Sequence, residues 1–339
     1  MKALGSWCLV ALLACGGSEL PARSAPPAAA AASDSSGAAP VPPPTRAAPS
    51  PELSAGIKAF DAGNYSEARS SFQAAVKKSP NDADALYDLG MACEKLGDKA
   101  AAAAAYTSAL TAKPDLEAAS IDLSALYIDE GRIDEALAVG RAGLAKHSGS
   151  SKLHENLAAA LAARGSQDLA IKEFEAAIEI TPAEPLLQLA FAHWLNVWHV
   201  RGAGVHLDAA GKLAKNDYAL VASIAHEYRM AGEFDSCVKT YDHAVAIKDG
   251  GEVRTGRALC RVALKDEKAA LDDLQAAVAI EPTFAPAHYY LGGRLGVAKR
   301  FKDAAAEYAK YLQLDPNGSL AKQASERLKA AQDAAARKK

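Results

Sequence analysis

Small residues recur along this chain at a nearly constant interval. Gly56, Gly90, Ser124, Ala158, Ala192, Ala225, Ala258 and Gly292 hold one position of a register of about 34 residues. Ala68, Ala102, Ala136, Ala170, Gly204, Cys237, Ala270 and Ala304 hold a second, Phe72, Tyr106, Phe174, Tyr241 and Tyr308 an aromatic one, and Pro80, Pro114, Pro182, Pro282 and Pro316 close units. A unit of this length cannot bury its own apolar face, so successive units must stack into one continuous core. Small residues let two antiparallel helices approach closely, the ring fills the wedge towards the next pair, and proline stops the second helix. Gly63, Gly97 and Gly131 sit where a helix needs a left-handed cap. Composition agrees with an all-α chain: 50 % of residues are apolar but only 6 % aromatic, with alanine dominant.

This pattern resembles the tetratricopeptide repeat (TPR), over residues 52–316 as about eight helix-turn-helix units. The resemblance implies an all-α, right-handed superhelical solenoid, with residues 317–339 as a capping helix and basic tail. Leu320, Ala324, Leu328 and Ala331 lie on one face of that segment, and Arg337-Lys338-Lys339 complements its helix dipole. Two units depart from the pattern. The third has Gly140 and Gly143 in its second helix, which predicts looser packing. The fifth has Gly202 and Gly204 near the start of its second helix and no closing proline around Asn216, which predicts a local change of superhelical pitch.

In this family the first helix of each pair lines a concave groove that takes extended peptides or partner helices. By register the lining here comprises Ile57, Phe60, Tyr87, Met91, Glu94, Ile121, Ile128, His193, Asn196, His226, Arg229, Leu259 and Tyr289. Its amino-terminal half is apolar, which suits an amphipathic helix or apolar peptide. The carboxylate clamp of chaperone-binding relatives is not supported, because the matching positions hold residues such as Leu53, Ile57, Tyr87 and Met91.

The amino terminus has a different logic. Met1-Lys2 and the apolar run Ala3 to Ala14 have the form of a secretory signal, and about a dozen residues fall short of the roughly 20 that span a bilayer. Leu12-Leu13-Ala14-Cys15 resembles the lipobox of bacterial lipoproteins, which implies a signal peptide over 1–14, acylation of Cys15 with palmitate-type chains, and membrane attachment through that lipid. Gly16, rather than aspartate, follows the cysteine, which favours the outer membrane, with the protein facing the periplasm. Residues 15–51 form an Ala/Pro-rich tether too poor in bulky side chains to order itself. As a coil of about 36 residues it reaches roughly 30–35 Å, and as polyproline II about 100 Å.

The residues offer little catalytic chemistry. Net charge is −3 with both signs interspersed, so no basic stripe exists to follow nucleic acid. No nucleophile–base spacing, phosphate-cradling glycine loop or HExxH pattern occurs, and no cofactor is expected. Of the five cysteines, Cys93, Cys237 and Cys260 lie in the repeats without CxxC spacing. They are buried thiols or, in an oxidising compartment, a Cys237–Cys260 disulfide with Cys93 left over. His193 and His226 occupy equivalent groove positions in adjacent units, two ligands without a nearby cysteine or carboxylate, so no metal site is assigned. Trp194 and Trp198 are one helical turn apart and read as core. The expected function is that of a non-catalytic scaffold binding protein partners in a bacterial cell-envelope complex for assembly, secretion or a pilus-type machine. The alternative is a periplasmic metal- or ligand-binding sensor using the His/Trp-rich fifth unit.

Overall fold

A computed structural model describes residues 50–337. The signal segment, Cys15 and nearly all of the tether lie outside the described residues, as do Lys338 and Lys339. Among the described residues all regular structure is helical, in seventeen helices, and the chain divides into two compact units between Thr181 and Pro182.

The first unit contains α1 (Pro51–Asp61), α2 (Tyr65–Lys78), α3 (Ala83–Lys95), α4 (Lys99–Ala112), α5 (Glu117–Asp129), α6 (Ile133–Leu144), α7 (Ser151–Ala163) and α8 (Gln167–Ile180). Consecutive helices pack as hairpins, giving four helix pairs. Local chemistry sets their starts. Ser50 accepts from the Leu53 amide with Pro51 at the first turn, Asp82 accepts from the amides of Asp84 and Ala85, and Ser150 caps α7 through Leu153. The glycines predicted as caps do take the left-handed conformation, Gly63 at φ 77°, Gly97 at 76° and Gly131 at 70°.

Packing within a pair depends on bare backbone. A Cβ on Gly56 would lie 2.4 Å from the Phe72 ring, and one on Gly90 would lie 2.4 Å from the Tyr106 ring, so each ring rests where a side chain is missing. Phe72, Tyr106 and Phe174 are at most 1 % exposed. Each buries enough apolar surface to contribute about 2–3 kcal/mol. The third repeat differs from its expectation. Its second helix is short, 12 residues against 14 in α2, α4 and α8, but Gly143 is tightly packed: its Cβ position lies 3.0 Å from both Leu153 and Ser120, and Leu153 is fully buried. Gly143 permits close approach there, whereas a Cβ on Gly140 would meet only Leu157, at 3.7 Å.

The second unit contains α9 (Pro185–Val197), α10 (Ala203–Ala214), α11 (Tyr218–Ala231), α12 (Phe234–Ile247), α13 (Gly251–Ala263), α14 (Glu267–Ile280), α15 (Ala285–Val297), α16 (Phe301–Leu314) and α17 (Ala321–Arg337). Four more pairs follow one another, and α17 packs on α16. With Ala324 and Ala331 buried and Leu320 and Leu328 half-buried against Tyr308 and Tyr311, α17 caps the last pair by the face read from the sequence. In the fifth repeat α10 is also only 12 residues long; it starts after Gly202 at φ 117° and ends at Lys215 at φ 46°. Three turns hold non-glycine residues in the left-handed region, His199 at 55°, Lys265 at 64° and Lys299 at 56°. The hairpin geometry overrides a local penalty of about 1–2 kcal/mol at each.

Between α12 and α13 no proline closes the repeat. A Cys237–Cys260 disulfide joins the two helices, and Arg254 pairs with Asp249 beside the turn. Asp273 of α14, 2 % exposed, is neutralised by Arg257 and Arg261, with Arg257 Nε donating over 2.9 Å and Arg261 Nη1 over 2.6 Å. A carboxylate so deeply buried is tolerable only when paired in this way.

Candidate partner-binding faces

In each unit the first helices of neighbouring repeats touch one another, α1 with α3 and α5 with α7, then α9 with α11, α11 with α13 and α13 with α15. Second helices make no comparable contact, so the first helices form the inner face of each stack.

On the first unit's inner face Ile57, Tyr87, Met91 and Ile121 are half-buried and Glu94 is exposed, which leaves each some surface for a partner. Phe60 and Ile128 are each 7 % exposed. Phe60 belongs to the core with Leu53, Ala68 and Phe72 and meets the Tyr65 ring edge-on at 5.1 Å, so it supports the face without lining it. Tyr87 donates its hydroxyl to Asp122 Oδ2 over 2.6 Å, Tyr106 donates to Glu94 Oε2 over 2.8 Å, and the two rings are 5.6 Å apart. Burial, followed by the neighbouring Asp122 charge, pushes the Tyr87 hydroxyl up, and burial with Asp122 and Glu94 does the same at Tyr106. The Asp122 carboxyl is itself pushed up to about 6 by burial and the Glu94 charge, against the opposing pull of Tyr87, Lys152 and Lys95. Asp122 is thus part of the site although sequence reasoning passed over it, and the fully buried Tyr106 supports the face from the core. No periodic signal marked Asp122, since the register equivalent of Tyr87 is Ile121.

On the second unit's inner face a polar network replaces the apolar row. His193 Nδ1 lies 2.9 Å from Glu227 Oε1, and Asn196 Nδ2 donates to Glu227 Oε2 over 2.8 Å and to its backbone carbonyl over 3.0 Å. Burial alone would raise the Glu227 carboxyl, but the hydrogen bonds from His193 and Asn196 and the charges of His193 and His226 hold it below the usual range. Arg229 Nη2 lies 3.3 Å from His226 Nδ1, and burial together with the Arg229 charge pushes that imidazole's pKa down. The two imidazoles predicted to share a place are therefore engaged with Glu227 and Arg229. Glu227 is the residue the sequence reading missed. Among the described residues no group of three His, Cys, Asp or Glu side chains could hold a metal ion. Trp194 and Trp198 stack at 5.4 Å, both half-buried.

Leu259 and Tyr289 meet at a cleft of about 350 Å³ between α13, α15 and α17, with Val262, Leu274, Tyr290, Gly293, Arg294, Leu320, Gln323 and Arg327 completing its walls. Leu259 is half-buried, whereas Tyr289 is 3 % exposed and donates to Gln323 Oε1 over 2.8 Å.

Among solved structures, the chain is similar to a tetratricopeptide repeat protein from Parabacteroides merdae, at 16 % identity and TM-score 0.46, over 83 % of this chain and 97 % of that one. It is also similar to MamA from Desulfovibrio magneticus, at 19 % identity and TM-score 0.45, over 50 % and 98 %. A third similar structure is the Cut9–Hcn1 hetero-tetramer of APC/C, at 15 % identity and TM-score 0.49, over 79 % and 52 %. No curated protein matches the chain. Residues 53–117 and 121–185 match the family model of the tetratricopeptide repeat. That match falls on helix pairs built around the small and aromatic positions, so residues 53–117 and 121–185 are tetratricopeptide repeats, and helix pairs of the same kind continue beyond them.

Proposed function

We propose that this protein is a non-catalytic scaffold of the bacterial cell envelope, held to the outer membrane by a lipid on Cys15 and binding protein partners on its inner helix faces. The observation that carries the reading is the run of half-buried Ile57, Tyr87, Met91 and Ile121 on touching first helices, apolar surface that the fold leaves open to a partner's helix or peptide. Extracytoplasmic placement is supported by Leu12-Leu13-Ala14-Cys15 and by the Cys237–Cys260 disulfide, a bond that reducing compartments seldom keep. Among the described residues no helix is long and apolar enough to cross a membrane, which fits attachment through a lipid. Partners of this kind belong to assembly, secretion or pilus-type machines.

The test is a cross-linked pull-down from the protein's own cells, comparing the native chain with Ile57→Asp/Met91→Asp and with Cys15→Ser. Phe60 is unsuitable for this purpose, because a charge in the core would unfold the first repeat. A single envelope complex that is recovered with the native chain, lost with the charged face and accompanied by a soluble Cys15→Ser chain is the expected result. Unchanged partners with the charged face would remove the inner face from the mechanism.

A further inference from the structure

The cleft at the carboxyl-terminal end of the second unit is lined at Gly293, where a side chain is missing that the register supplies elsewhere. At the position of Gly293 the preceding repeats of this unit carry His193, His226 and Leu259, and at that of Gly296 they carry Asn196, Arg229 and Val262. Glycine weakens a helix interior, so its presence calls for a packing reason. Gly292 has one, since a Cβ there would sit 3.1 Å from the Tyr308 ring. Gly293 and Gly296 have none. A Cβ on Gly293 would meet only the Tyr308 hydroxyl at 3.6 Å and Arg327 Nη1 at 3.8 Å, and one on Gly296 would meet nothing within 4 Å. Gly293 lines the cleft, and the side chain it lacks leaves that stretch of the wall open.

Its chemistry is specific. Leu259, Val262, Tyr290 and Leu320 form apolar walls, and the rim carries two guanidinium groups. Arg327 lies 5.0 Å over the Tyr289 ring, exposed and without a carboxylate partner among the described residues. Arg294 makes only an exposed pair with Glu267, at 3.2 and 3.3 Å, which a better-placed carboxylate can replace at little cost. The α17 wall is fixed through the bond from Tyr289 to Gln323. The cleft is open to solvent along one side, whereas small-molecule sites enclose most of their ligand, so the shape suits one side chain of a longer segment.

We propose that this cleft is a binding pocket for an acidic apolar peptide segment, resting on the partner-binding reading above. An aromatic or aliphatic side chain enters between Leu259, Val262 and Tyr290, and an adjacent carboxylate pairs with Arg327 and Arg294. The site thereby gives the second unit a selectivity for anionic partners that the apolar and acidic face of the first unit does not have.

The test uses the full chain and two pools of random eight-residue peptides, one with a central Phe-Glu or Leu-Asp pair and one with Phe-Gln or Leu-Asn. Retention of each pool is measured at low and moderate salt. The acidic pool should be retained about tenfold better, and the advantage should shrink with salt. Gly293→Trp, which fills the cleft, and Arg327→Glu, at an exposed position that leaves the fold intact, should each abolish the advantage. Equal retention of both pools, or an acidic preference that survives Arg327→Glu, overturns the proposal. If retention is equal but lost with Ile57→Asp/Met91→Asp, the partner-binding reading stands and only the cleft assignment falls. Retention of neither pool, with no envelope partner recovered in the pull-down, removes both.

Discussion

Asp122 accepts a hydrogen bond from Tyr87, yet burial and the charge of Glu94 push its carboxyl up to about 6 from an ordinary 3.8. Between those two values the folded chain holds a proton that the unfolded chain has released, so stability falls as pH rises through the window. The whole cost is present above about pH 6 and vanishes below about pH 4. Two pKa units correspond to roughly 3 kcal/mol, an upper bound for a group that water still reaches. Asp122→Asn keeps an oxygen to accept from Tyr87 and removes the buried charge. Its Tm at pH 7.5 is expected to rise by about 2–6 °C, with the gain fading towards pH 4. A gain that does not depend on pH, or a loss at pH 7.5, would show that Asp122 is not held in this state. The register places Tyr87 on the inner face but is silent on Asp122, because periodicity marks which way a position points and not which side chains meet across neighbouring helices. Phe60 and Ile128 illustrate the same limit, since they share the face of Ile57 and Ile121 and yet are absorbed into the core.

Helices and their junctions were legible to different degrees. The small and aromatic positions translate directly into packed hairpins, because a ring at Phe72 or Tyr106 demands bare backbone at Gly56 or Gly90. Turn conformation was legible only where glycine marks it. His199, Lys265 and Lys299 adopt the same left-handed backbone under the pull of the packed pair, and no local signal announces that. The α12–α13 junction has neither proline nor a capping side chain on α13, and there the covalent link between Cys237 and Cys260 holds the helices together. A bond that closes a loop with a sequence separation of 23 contributes about 3 kcal/mol by restricting the unfolded chain. Cys237→Ala/Cys260→Ala should therefore lower the urea midpoint measurably while leaving the far-ultraviolet helix signal of the native state unchanged. Both sulfurs are buried, so reductant should act only on chains that have first been unfolded. An unaltered midpoint in the double variant would mean that the two thiols are not joined in the purified protein.

A stack of repeats distributes its stability unlike a globular core, because each pair contacts only its neighbours and the total approximates a sum of repeat and interface terms. The end of the second unit is where this matters most. The ring cluster of Tyr289, Tyr308 and Tyr311 is covered on its outer side by Leu320, Ala324, Leu328 and Ala331, and Gln323 and Arg327 reach back to Tyr289. A chain ending at Asn317 would expose that cluster and also lose one wall of the cleft. Its effect should be graded in space. Hydrogen exchange is expected to accelerate strongly in α15 and α16, modestly in α13 and α14, and little in α9 and α10, with the first unit unaffected. Uniform acceleration across α9–α16 would instead mean that the second unit opens as one cooperative block, and nearest-neighbour reasoning would then not apply to it. The graded outcome also bears on binding, because a segment held in the cleft joins α13, α15 and α17 and should slow exchange in those helices above all.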